Sequence, residues 1–228
     1  MKPWQVRSWV IPEADASFVC AMEAVLDVYE RPYNEKHPVV NLDESPKQLI
    51  SQVKLPFKDS KGVTHYDYEY AREGVASMYM ICEALGGVRE VLVKDNHKAT
   101  TYAQVLGHIA ENIYPEAEKI TLIEDNHSAH KLSALYEIYA PERARAIASR
   151  FEVVRTPKHG SWLNIAEGEL SVLTRQGLAQ RIPSKQALID QATKWYSIRN
   201  EKTAKVNWQF TTADARVKLK KLYPAFYA

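Results

Sequence analysis

Apolar residues in the first thirty positions recur at helical spacing. Phe18, Met22, Val25, Leu26 and Tyr29 form one stripe, which predicts a helix over Ala14–Tyr29. Glu13-Ala14-Asp15 marks its start, and Arg31-Pro32-Tyr33-Asn34 breaks the chain after it. Val39–Leu42 is a short apolar run of strand character that ends in Asp43-Glu44-Ser45-Pro46. Polar residues just past the end of such a strand are well placed to line a site. Residues 48–66 carry no clear period and read as loop. Tyr66–Tyr70 and Ala76–Glu83 are rich in β-formers, and Gly86-Gly87 turns the second run into Val88–Val93, predicting a hairpin.

Helical spacing returns over Tyr102–Ile113 and stops at Tyr114-Pro115. Lys119–Asp125 reads as a second strand that delivers an acid at its end. Two helices over 130–139 and 141–149 follow, then a strand at Phe151–Arg155, a Gly/Pro loop at Thr156–Trp162 and a helix over Leu163–Gln180. Ile182-Pro183 introduces a helix over Ser184–Asn200, and another spans Thr211–Leu222. Neither repeats nor low-complexity tracts interrupt this order, so one domain over 1–228 is expected. The fold class is α/β: a mixed sheet with helices on both faces.

Composition narrows the picture only a little. A hydrophobic share of 46% with 25% charged residues is ordinary for a soluble globular protein. No apolar run approaches the roughly 18–20 residues that cross a bilayer, and the N-terminus lacks the pattern of a signal peptide. Cys20 and Cys82 stand far apart, which suits a reducing cytoplasm and speaks against a disulfide scaffold and a zinc site. The net charge of +2 hides an asymmetry: residues 151–228 hold thirteen Lys/Arg against six Asp/Glu, and residues 1–150 hold seventeen against twenty-two. Such a split can attract a polyanion on one side and gather carboxylates on the other; it is equally compatible with a merely uneven surface.

The carboxylates that could converge are Asp43 and Asp125, each after a strand, and Glu167 on a later helix. Carboxylate oxygens suit a hard cation such as Mg²⁺. Two such ions roughly 3.5–4 Å apart can stabilise both the attacking and the leaving oxygen of an in-line phosphoryl displacement. Glu169 is a rival to Glu167, but two residues differ by about 200° around a helix, so the pair cannot share one site. The stripe of Leu163, Ala166, Leu170 and Leu173 favours Glu167 slightly, as lying closer to its centre. Strand alternation turns Glu124 away from Asp125, and Glu44 reads as a supporting or surface carboxylate. His127 and His130 could hold a transition metal or be surface or supporting groups.

Three motifs go further. Asn41-Leu-Asp-Glu44, Glu124-Asp-Asn-His-Ser-Ala-His130 and Thr156-Pro-Lys-His-Gly-Ser-Trp-Leu-Asn-Ile-Ala-Glu167 resemble the bacterial insertion-sequence branch of the mariner-like DDE transposases. The opening Lys2-Pro-Trp-Gln-Val6 with Trp9 and Ile11-Pro12, and the tail from Arg199 to Pro224, are similar to the same family. That resemblance implies a ribonuclease H-like core over 36–180, with a helical lead-in over 1–35 and a basic helical tail over 181–228. Asp43, Asp125 and Glu167 would be the catalytic and metal-binding triad, holding two Mg²⁺ or Mn²⁺ ions. Water would attack in strand cleavage and a DNA 3′-hydroxyl in joining. Asn126, His130 and Asn164 would orient the acids. Lys158, His159, Arg199, Lys202, Arg216, Lys218, Lys220 and Lys221 would meet DNA, with a solvated helix face as the competing account of the tail.

DNA, as transposon ends and target, is then the expected partner, with a homodimer, in the bacterial cytoplasm. A full-length member would carry a helix-turn-helix region ahead of this core, so the chain reads as a catalytic domain alone. The interval of 42 positions from Asp125 to Glu167 is also longer than the superfamily usually shows. A silent, truncated regulator that pairs with a full-length enzyme, and a nuclease acting on RNA–DNA hybrids, are the other readings.

Overall fold

The computed structural model describes residues 15–65 and 67–224. Ala14, Tyr66 and the motif segment from Lys2 to Pro12 lie outside the described residues. Helix α1 (Ala16–Tyr29) starts where the Asp15 side chain accepts from the Phe18 N–H, and its Met22, Val25, Leu26 and Val28 are buried. Strand β1 (Val39–Gln52) follows, then a two-residue pair, β2 (Phe57–Lys58) and β3 (Thr64–His65), and the long β4 (Tyr70–Glu83), which turns into β5 (Val88–Lys94). Gly87 takes φ 73 in that turn, a conformation that disfavours any side chain. Helix α2 (Ala99–His108) runs on into a wider π-helical turn over Ile109–Ile113, and β6 (Ile120–Glu124) comes next. A short α3 (Leu135–Ile138), α4 (Pro141–Arg150), β7 (Phe151–Arg155), α5 (Ile165–Gln176), α6 (Lys185–Glu201) and α7 (Thr212–Lys218) complete the order.

The main sheet has five strands in the order β5-β4-β1-β6-β7. β4 pairs antiparallel with β1 and β5, while β6 pairs parallel with β1 and β7. Alternation along the strands feeds two cores. Val40, Leu42, Tyr79, Ile81, Ile120 and Leu122 pack under α2 and α4. Met78, Met80, Cys82 and Val91 pack under α5 and α6. A third cluster joins α1 to Ile123, Leu163 and Ala215 of α7. No helix among the described residues is long and apolar enough to cross a membrane.

One expectation changes in a way that matters for the site. β1 does not end at Leu42 but continues to Gln52, through residues that read as polar loop. β6 pairs with β1 only over Val39–Asn41. Beyond that point β1 has β4 alone, so it behaves as an edge strand, tolerates Pro46 and needs no apolar alternation. Asp43 therefore sits inside a strand, just where that strand loses its neighbour on one side.

Candidate active site

The parallel register aligns Asn41 with Ile123, and two residues further along each strand stand Asp43 and Asp125. With a side-chain period of two, both carboxylates emerge on the face that carries α5. Glu124, one residue earlier, points into the opposite core, where the Tyr102 hydroxyl donates to it at 2.7 Å and Arg155 stands at 3.4 Å. Glu124 thus faces away from Asp125, as strand alternation predicts.

Helix α5 brings the third acid. Asn164 caps it, accepting from the Ala166 N–H at 3.1 Å through Oδ1, while its Nδ2 donates to the Leu42 carbonyl at 2.9 Å. One buried amide thus pins the start of α5 to the residue preceding Asp43. Glu167 lies in the first helical turn, three residues on. A carboxylate there is also favoured by the helix dipole. Asp43, Asp125 and Glu167 all line one cavity of about 420 Å³, together with Glu44, Ser161 and Asn164.

The stripe argument for Glu167 over Glu169 does not hold, although the two do face different ways. Glu167 is exposed to the cavity, and Glu169 is the buried one. Arg89 of β5 and Arg199 of α6 clasp Glu169 at 2.8 Å and 3.0 Å. Both glutamates flank the apolar stripe, and the partners on each side decide which is covered.

The charges at the cavity are distinctive. Burial first, and the negative charges of Glu44, Asp125 and Glu167 next, push the Asp43 carboxyl up to about 7 against the pull of the Glu44 N–H. Among the described residues no Lys or Arg ion pair reaches Asp43 or Glu167. Asp125 differs. Its carboxyl is held below the usual range, chiefly by His130 Nδ1 at 2.9 Å and also by the His127 N–H. Burial alone would lower His130, but its bonds to Asp125 and Glu44 outweigh that and raise it to about 10. Its ring is buried and stacks on Tyr102 at 4.7 Å.

Negative groups crowded without compensation are what a divalent cation relieves. The all-oxygen donor set fits Mg²⁺ or Mn²⁺. The triad is not among the sets of three donors found within 4.8 Å of one another in the described residues.

The supporting residues fall into place by their contacts. Asn126 donates to the Thr156 carbonyl at 2.6 Å, tying the turn after β6 to the turn after β7. Glu44 faces the α2 side and accepts from His130 Nε2 at 3.0 Å, with His127 at 3.8 Å, in keeping with the supporting one of its two expected readings. The two histidines three and six residues after Glu124 were the available signal for it.

The basic residues are more scattered in role. Lys158 and His159 are exposed in the loop before α5, and His159 adopts φ 65. Arg199 is engaged with Glu169 and lies over the Trp195 ring, so its charge is already matched. Arg216 makes a forked pair with Glu23 at 2.8 Å, and Lys218 pairs with Asp214 at 2.8 Å. Lys202, Lys220 and Lys221 are exposed.

Comparison with known proteins agrees with this fold. No curated protein matches the chain. Among solved structures, the Mos1 mariner paired end complex with Mn is similar at a TM-score of 0.58 and 17% identity, covering 87% of this chain and 60% of that one. The Mos1 strand transfer complex is similar at 0.55 and 17% identity, covering 95% and 63%. At such identity the likeness shows a common fold, the mixed sheet of the ribonuclease H-like class, and the chain spans somewhat under two thirds of those relatives. Residues 38–189, which include all three acids, match the family described as DDE superfamily endonuclease, and the chain belongs to that family.

Proposed function

We propose that this chain is the catalytic core of a DNA transposase that cleaves strands and joins the freed 3′-hydroxyl to target DNA. The observation that carries the reading is the meeting of Asp43, Asp125 and Glu167 around one cavity, with Asp43 left uncompensated. The three carboxylates would hold two Mg²⁺ or Mn²⁺ ions, which when bound activate the attacking oxygen and steady the departing one. His130 keeps Asp125 ionised, and Asn164 fixes Glu167 relative to Asp43. The Mos1 relatives are described as paired end and strand transfer complexes with Mn or Mg, which supports DNA as substrate and two copies acting together. Lys158, His159, Lys202, Lys220 and Lys221, all exposed, would meet phosphates, in the bacterial cytoplasm.

Nicking of supercoiled plasmid with Mg²⁺ or Mn²⁺ tests this. Asp43→Asn and Asp125→Asn should each lower the rate on the order of 10²–10³-fold, the usual cost of removing a key transition-state stabiliser. Wild-type rates in both variants would overturn the assignment. Cleavage of an RNA–DNA hybrid in preference to duplex DNA would redirect the substrate.

A further inference from the structure

We propose that Glu44, His127 and His130 form a binding site for one borderline-soft divalent cation, Zn²⁺ foremost, beside the carboxylate triad and chemically distinct from it. Donor atoms of these three residues lie within 4.8 Å of one another. His130 Nε2 stands 3.0 Å from Glu44 Oε2, and His127 Nδ1 stands 3.8 Å from Glu44 Oε1. Ligands at about 2.1 Å around a tetrahedral ion are separated by about 3.4 Å. The two spacings to the Glu44 carboxylate, one to each oxygen, fall either side of that value, and all three donors stay within 4.8 Å of one another.

Donor chemistry points to the same class of ion. Two imidazoles and one carboxylate, with a fourth position open, suit zinc and its neighbours, whereas the triad is built of oxygen alone. The cysteines gave no reason to expect zinc, and this site uses neither of them. The surroundings are those of a prepared ligand set. His130 Nδ1 is bonded to Asp125 at 2.9 Å and the ring is held against Tyr102, which fixes its orientation as a carboxylate behind a metal-bound histidine does. Among the described residues the Ala129 N–H approaches His127 Nδ1 at a long 3.4 Å, and Glu44 Oε1 stands 3.8 Å from it. With its side chain 37% exposed, His127 offers the way in. His97 neighbours it at 5.9 Å between rings but is turned to Ser77, and takes no part.

On binding, the ion displaces the proton that His130 Nε2 shares with Glu44, and that proton leaves to solvent. The Nδ1–H stays on Asp125. A trace metal thereby touches the triad indirectly, through one imidazole.

Co²⁺ is the probe, read by its visible absorption in the presence of excess Mg²⁺, which occupies all-oxygen sites. Wild-type chain should take up one Co²⁺ with the intense bands of a four- or five-coordinate nitrogen-containing site, and Zn²⁺ should displace it. His127→Ala, a change at an exposed position, should weaken uptake at least roughly tenfold, and so should Glu44→Gln. Asp43→Asn should retain it. No saturable band in the wild type, undiminished affinity in His127→Ala, or loss of the band in Asp43→Asn would each overturn the proposal. The binding site does not depend on the proposed strand transfer: loss of nicking in Asp43→Asn with Co²⁺ uptake intact separates the two.

Discussion

Helix α5 carries two glutamates two residues apart whose surroundings could hardly differ more. Glu169 is buried, and two arginines from β5 and α6 neutralise it. Glu167 faces a cavity shared with three other acids, and no arginine or lysine among the described residues pairs with it. A buried charge persists in a folded protein when it is paired, because desolvation costs several kcal/mol per ion. Compensation therefore marks Glu169 as a fastening between helix and sheet. Glu167 is exposed to the cavity and has no such partner among the described residues, which fits the proposed role of cation ligand. The contrast separates function from architecture within one turn of helix, where residue type alone does not.

Removing one side of the fastening should have the largest effect. Arg89→Ala leaves Glu169 buried beside Arg199 alone, and unfolding by urea should show a loss of about 3–5 kcal/mol. A loss under 1 kcal/mol would mean that the ion cluster is not what holds β5 to α5. Glu167→Gln should do the reverse: metal-dependent nicking falls on the order of 10²–10³-fold, while the urea midpoint stays at the wild-type value. If both substitutions destabilise alike, the distinction between the two glutamates collapses.

A subtler test uses pH. The carboxyl of Asp43 is raised from its unfolded value near 3.9 to about 7 in the fold. Over that interval the folded state holds the proton more tightly than the unfolded chain. Its contribution to stability is thus complete below about pH 4 and is lost as pH rises through about 7. In metal-free buffer, Asp43→Asn should flatten this decline and leave the protein more stable than wild type at neutral pH. Added Mg²⁺ should stabilise the wild type and not the variant. An unchanged slope in the variant would show that the cavity is not electrostatically strained. Smallest of all, Asn164→Ala should cost about 1 kcal/mol as a lost helix cap. It should also slow nicking, because the link between α5 and Leu42 goes with it.

Much of this was legible in the residues. Val39–Leu42, Phe151–Arg155 and the hairpin around Gly86-Gly87 declared themselves by apolar runs and turn chemistry, and the three acids by their motifs. What escaped depends on partners far away in sequence. The extension of β1 to Gln52 follows from pairing with β4 on one side only, so its half-exposed residues carry no periodic signature. The burial of Glu169 is decided by Arg89, eighty residues earlier, and by Arg199, thirty later. Glu44 read as either a supporting or a surface acid, because the chain alone does not say that His130 folds back against it.

The parallel alignment of Asn41 with Ile123 has a bearing on what length changes the chain tolerates. Side chains alternate between faces, so inserting one residue between Val39 and Asp43, or between Ile120 and Asp125, would swing an acid into the apolar layer beneath α2. Such an insertion would cost both the packing of that layer and the meeting of the carboxylates. The turns between Asp125 and Glu167, outside β7, are under no such restriction, because the amide of Asn164 sets the position of α5. Extra length is harmless there, and this is where the chain carries it.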